Sequence, residues 1–145
     1  MANEATVRSS LSISVGNVQY KSLPNGFTAD VSRGNGPSPG LVNVATKENG
    51  MTDIDLSELT PPLGFCRFSN QDANNAIHVG RYDPSSDHFL PFMKIKPGES
   101  FVIRLSSDIT EEYTGTSTGT TSATSTLRAY AENASAPLLV EAFED

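Results

Sequence analysis

The stretch Ser100-Phe101-Val102-Ile103-Arg104-Leu105 decides the fold class. Large apolar residues at 101, 103 and 105 alternate with Ser100, Val102 and Arg104, which sets one face of a strand on a core and the other toward water. Pro97-Gly98-Glu99 just before it is a turn signal. The same two-residue period recurs outward from this point. Leu127, Ala129 and Ala131 alternate with Arg128 and Tyr130, and Ile77 and Val79 share a strand face that excludes His78. Toward the N-terminus, Leu11, Ile13 and Val15 alternate with Ser10, Ser12 and Ser14, and Val18 to Tyr20 extends that strand past Gly16-Asn17. Phe27, Ala29 and Val31 alternate with Thr28, Asp30 and Ser32. Leu41 to Ala45, Phe65 to Phe68 and Leu138 to Phe143 read as further strands, and Ile54 with Leu56 as a brief one. Phe89 to Ile95 is apolar, but Pro91 bars it from the centre of a sheet.

Turn residues punctuate these segments. Pro24-Asn25-Gly26, Glu48-Asn49-Gly50 and Asp83 to Asp87 predict turns, and Arg33 to Gly40 reads as loop throughout. No window has a convincing helical period. About eight to ten short strands, spaced by roughly 8–12 residues, predict an all-β antiparallel sandwich or jelly-roll-like barrel. The expected core comprises Leu11, Ile13, Val15, Phe27, Val42, Val44, Phe68, Ile77, Val79, Phe101, Ile103 and Leu105. The expected organisation is an N-terminal arm at 1–10 and a single β domain at 11–145, with a flexible Ser/Thr/Gly-rich loop at 114–126.

Composition excludes several classes. The 145 residues are 37% hydrophobic and 19% charged, the polarity coming from Ser, Thr, Asn and Gly rather than from charge. A net charge of −7 disfavours a nucleic-acid binder, which needs a basic face. Cys66 is the sole cysteine, so no disulfide framework forms, and its place between Phe65 and Phe68 suits a small buried side chain. No apolar run is long enough to span a bilayer. The polar N-terminus carries no hydrophobic signal segment, so assembly in the cytoplasm is expected.

The search for chemistry finds no site. His78 and His88 are ten residues apart with a turn between them and no acidic ligand close by, unlike a clustered metal motif. Asn70 to Asn74 places oxygen donors at alternate positions, as a calcium loop does. However, Asn75 stands where glycine is wanted and Arg81 where a bidentate glutamate is wanted; a polar loop is the better reading. Asp53 and Asp55, with Glu58 nearby, could pair two carboxylates, yet no Trp is present to stack on a sugar and the tyrosines are dispersed. There is no nucleophile elbow and no phosphate loop. The expectation is no enzyme, no catalytic residue, no metal and no cofactor.

Two segments invite an assembly reading. The Thr114 to Thr126 tract is long for a hairpin loop. It is either a surface loop or an extended segment ordered by a neighbouring subunit. Leu138, Leu139, Val140 and Phe143 form the most apolar stretch near either end. Together with Thr116, Thr118 and Thr120 they are the expected subunit contacts of a homo-oligomer, a trimer being favoured. The competing reading makes 138–143 the last core strand of its own subunit.

Five quoted stretches carry a resemblance. They are the Gly-Pro-Ser-Pro-Gly loop at 36–40, DIDLSELTPPLGFCRFSNQDANN at 53–75, YDP at 82–84, KIKPGESFVIRLS at 94–106, and the acidic end LLVEAFED. Together they resemble small β-rich structural proteins of tailed-bacteriophage virions. The resemblance implies a capsid decoration (cement) protein that bridges neighbouring subunits of the major capsid protein, or a neck, tail or fibre component of the same particle. It implies a virion location, other virion proteins as partners, and no membrane or nucleic acid. A glycan- or ligand-binding β-module is the remaining alternative.

Overall fold

A computed structural model of the chain describes residues 4–30, 35–60, 63–84, 86–105 and 126–145. Two compact units result, Met1–Gly34 and Asn35–Asp145. The second unit holds β5 (Ser38–Val44), β6 (Thr52–Asp53), β7 (Leu63–Asn70), β8 (Ile77–Asp83), β9 (His88–Ile95), β10 (Ser100–Arg104), β11 (Thr126–Ala131) and β12 (Ala136–Glu144). They form two four-stranded antiparallel sheets, ordered β10-β7-β12-β5 and β6-β11-β8-β9. Counted from the first strand of the unit, the orders are 6-3-8-1 and 2-7-4-5, the double Greek key of a jelly roll.

Period-2 patterning builds the core between the sheets. Leu127, Ala129 and Ala131 on β11, Ile77 and Val79 on β8, Phe68 and Cys66 on β7, and Leu138, Val140 and Ala142 on β12 are all buried. Val44 from β5, Ile95 from β9 and Leu105 beyond β10 complete one continuous cluster, against which Val42 and Ile103 pack partly buried. The expected core is therefore found at Val42, Val44, Phe68, Ile77, Val79, Ile103 and Leu105. Phe101 differs. Its register opposite Phe68 turns it inward, but β10 is an edge strand and the ring stays 42% exposed.

Proline positions agree with sheet order. Pro91 lies on β9, an edge strand, where a missing N–H costs no ladder bond inside the sheet. Gly80, opposite Pro91, sits at a register shift, and its backbone passes so close to β9 that a Cβ there would meet the Leu90 carbonyl oxygen at 2.4 Å. The loop expected over residues 33–40 is corrected in its last part: Ser38, Pro39 and Gly40 pair with Ala142, Glu141 and Val140. An edge strand tolerates the proline there too.

The unit closes on itself. The first strand, β5, pairs along its length with the last, β12, and the Glu144 N–H donates to the Asn35 carbonyl at 3.2 Å. The Glu144 carboxylate is buried. It accepts from the Thr60 N–H at 2.6 Å and from Asn35 Nδ2 at 3.0 Å, so the charge is spread over two donors.

Residues 4–30 form the other unit's described part. β1 (Glu4–Ser9) pairs antiparallel with β4 (Asn25–Asp30), and β2 (Ser12–Val15) with β3 (Val18–Lys21). Gly16, at φ 55°, begins the two-residue turn between β2 and β3, a conformation that glycine adopts without steric cost. The result is one two-stranded ribbon. The turn expected at Asn25-Gly26 is corrected, since both residues lie in β4 opposite Ser9 and Arg8. The expected core positions Leu11, Ile13, Val15 and Phe27 are corrected as well: all four are exposed.

Candidate interaction surfaces

The ribbon is amphipathic along its whole described length. Ile13 faces Tyr20 and Val15 faces Val18 across β2 and β3, while Ser12 faces Lys21 and Ser14 faces Gln19 on the opposite side. Across β1 and β4, Val7 faces Phe27 and Ala5 faces Ala29 on one side, with Thr6 opposite Thr28 and Arg8 opposite Gly26 on the other. One face is thus aliphatic and aromatic, the other hydroxyl, amide and cation. The apolar face is uncovered. Leu11, Ile13, Val15, Val18, Tyr20 and Phe27 are each between 43% and 69% exposed, an unusual concentration of bare apolar surface for a soluble chain.

The C-terminal strand divides the expected contact residues by face. Leu138 and Val140 are fully buried in their own chain and offer no surface to a second subunit. That part of the expectation is corrected, because alternation along β12 turns them toward the core. Leu139 points the other way, beside Leu41 and Ser69, and Phe143 is exposed. Those two remain on an outer sheet face that also carries the Arg67–Glu141 ion pair at 3.0 Å. Thr116, Thr118 and Thr120 lie outside the described residues.

A second, unforeseen cluster covers the outer face of the β6-β11-β8-β9 sheet. His78 and Tyr130, cross-strand neighbours, stack with centroids 4.7 Å apart and planes within 7°. Phe89 meets Tyr130 edge-on at 5.7 Å. Arg128 lies over the Tyr82 ring at 3.7 Å and pairs with Asp53. Glu132 accepts a contact from His78 at 2.9 Å and from Lys94. The His78 hydrogen bond, and then that of Lys94, holds the Glu132 carboxyl below its ordinary pKa. Strand register creates these pairs, so no local motif in the sequence announces them.

The remaining candidates have structural duties. The 70–75 loop is an Asx-type turn: Asp72 Oδ1 accepts from the N–H groups of Asn74 at 2.7 Å and Asn75 at 2.6 Å. These bonds lower its pKa. Asp53 serves Arg128, and Asp55 accepts from the Ser57 N–H at 2.9 Å, so the two carboxylates serve different partners. His78 and His88 lie on adjacent strands but five residues apart along the ladder. Among the described residues no group of three or more His, Cys, Asp or Glu could hold a metal ion. Burial, and secondly Glu141, pushes the Cys66 thiol up to about 12. Neither a protein-family model, nor a curated protein, nor a solved structure matches this chain.

Proposed function

We propose that the chain is a structural subunit of a tailed-phage virion, a decoration protein that stabilises the head by bridging neighbouring capsid subunits. The observation that carries this reading is the uncovered apolar face of the 4–30 ribbon, joined in one chain to a tightly closed jelly roll. A rigid β body with a sticky, neutral extension suits a protein whose work is to hold other subunits, with no catalysis asked of it. Jelly rolls occur in viral capsid proteins, and equally in lectins and cupins, so the fold by itself does not choose among these roles. Repeated weak contacts on a lattice turn modest single-site affinity into firm attachment.

A neck, tail or fibre position in the same particle uses the same features. A glycan-binding role is less well supported. The tyrosines best placed to stack on a sugar are already engaged, Tyr130 by His78 and Tyr82 by Arg128. Copy number tests the proposal. Quantitative mass spectrometry of purified particles from the source genome should find the chain on the order of hundreds of times per particle, as a closed symmetric lattice requires. A small multiple of three, five or six moves it to the neck or tail. Its absence from particles overturns the virion reading.

A further inference from the structure

We propose that the apolar face of the 4–30 ribbon packs against the same face of other copies of this chain, making the ribbon the element of self-association. A two-stranded ribbon standing alone is marginally stable in water. This one bares Leu11, Ile13, Val15, Val18, Tyr20 and Phe27 on a single side, so its order calls for a cover.

Two observations select a second copy as that cover. The first is charge. Residues 1–34 carry three basic and two acidic side chains, whereas residues 35–145 carry seven and fifteen, a net +1 against a net −8. Bodies of that charge repel one another, and the repulsion is weakest where the neutral segments meet. Along the described ribbon itself Glu4 and Asp30 balance Arg8 and Lys21, and all four lie off the apolar face. The second is shape. The face is a row of cross-strand pairs, Ala5–Ala29, Val7–Phe27, Ile13–Tyr20 and Val15–Val18. Such a flat row meets its own likeness as one sheet of a sandwich meets the other, about 10 Å apart. A symmetry axis brings identical patches together. The proposal needs only a second copy and stands or falls apart from the virion reading.

The test introduces the same charge on adjacent residues of opposite faces, in the full chain. Sedimentation equilibrium across protein concentrations should show a homo-oligomer for the native chain. Ile13→Asp should weaken association at least about tenfold, an effect of roughly 1.4 kcal/mol. Ser14→Asp should leave it unchanged. Both side chains are exposed, so the thermal transition of the 35–145 unit should be the same in all three proteins, and that readout separates lost association from misfolding. A native chain that stays monomeric overturns the proposal, whether the ribbon amides are protected from hydrogen exchange, which points to cover by its own chain, or unprotected. So does an oligomer that Ile13→Asp leaves intact, or one that both variants disrupt alike.

Discussion

Asn70 joins the two sheets through Ile95. From the end of β7 its Nδ2 donates to the Ile95 carbonyl, at the end of β9 in the other sheet, at 3.0 Å, and to the Asn75 carbonyl at 2.8 Å. Its Oδ1 accepts from the Asp72 N–H at 2.9 Å. The backbone at Asn70 adds bonds to Glu99 and Gly98, and the residue is 1% exposed.

Asn70→Ala strands the Ile95 carbonyl and the Asp72 N–H. The expected loss is about 1–3 kcal/mol, read as a lower midpoint in urea. Asn70→Asp sets a carboxylate against two carbonyl oxygens and should cost more at neutral pH, with partial recovery in acid as the carboxyl protonates.

Glu144 binds Thr60 and Asn35 in a buried position. Glu144→Ala removes the acceptor from a charged hydrogen-bond pair and should cost about 2–3 kcal/mol. Glu144→Gln keeps an acceptor oxygen and should cost less. Thermal denaturation of the three proteins checks the order.

Gly80→Ala is expected to destabilise the jelly roll by about 1–3 kcal/mol. The added methyl meets backbone of β9, the Leu90 oxygen at 2.4 Å and Pro91 Cα at 2.7 Å, so relief requires moving a strand. Chemical denaturation checks it.

The Cys66 thiol, buried and raised to about 12, should stay unmodified by an alkylating reagent at pH 8 in the folded protein and react fully in denaturant, because only the thiolate is the nucleophile. Fast labelling without denaturant contradicts this.

Acid should destabilise the fold through carboxyls whose folded pKa lies below the unfolded value. Asp72 is held down by the Asn74 and Asn75 N–H groups, and Glu132 by His78 and Lys94. Their contribution is complete above the ordinary carboxyl pKa of about 4 and is lost as pH falls below it, where the unfolded chain takes up more protons. Asp72→Asn should flatten the dependence of the urea midpoint on pH in that window.

The sandwich was legible wherever a strand's alternating face met a second sheet. Leu127, Ala129 and Ala131 and the edge position of Pro91 are examples. Leu11, Ile13 and Val15 alternate just as cleanly, yet their face is bare: a period of two reports amphipathicity and is silent on what covers it. Pro39 reads as loop because proline breaks central strands, but β5 is an edge. The same period could have separated Leu138 and Val140 from Leu139, since neighbours on a strand face opposite ways. The His78–Tyr130 and Arg128–Tyr82 contacts lay beyond reading, because they depend on a register between segments some 50 residues apart.

The pairing of the first jelly-roll strand with the last has a mechanical meaning. Ser38 sits opposite Ala142 at the same end where Asn35 meets Glu144. A pulling force that enters through the segment preceding Asn35 and leaves through Asp145 therefore acts at one end of an antiparallel pair. It peels the seven β5–β12 residue pairs apart one after another, like a zipper, where a shearing load would strain all of them together. The buried Glu144 carboxylate, with its bonds to Asn35 and Thr60, is the clasp that such a force must open first.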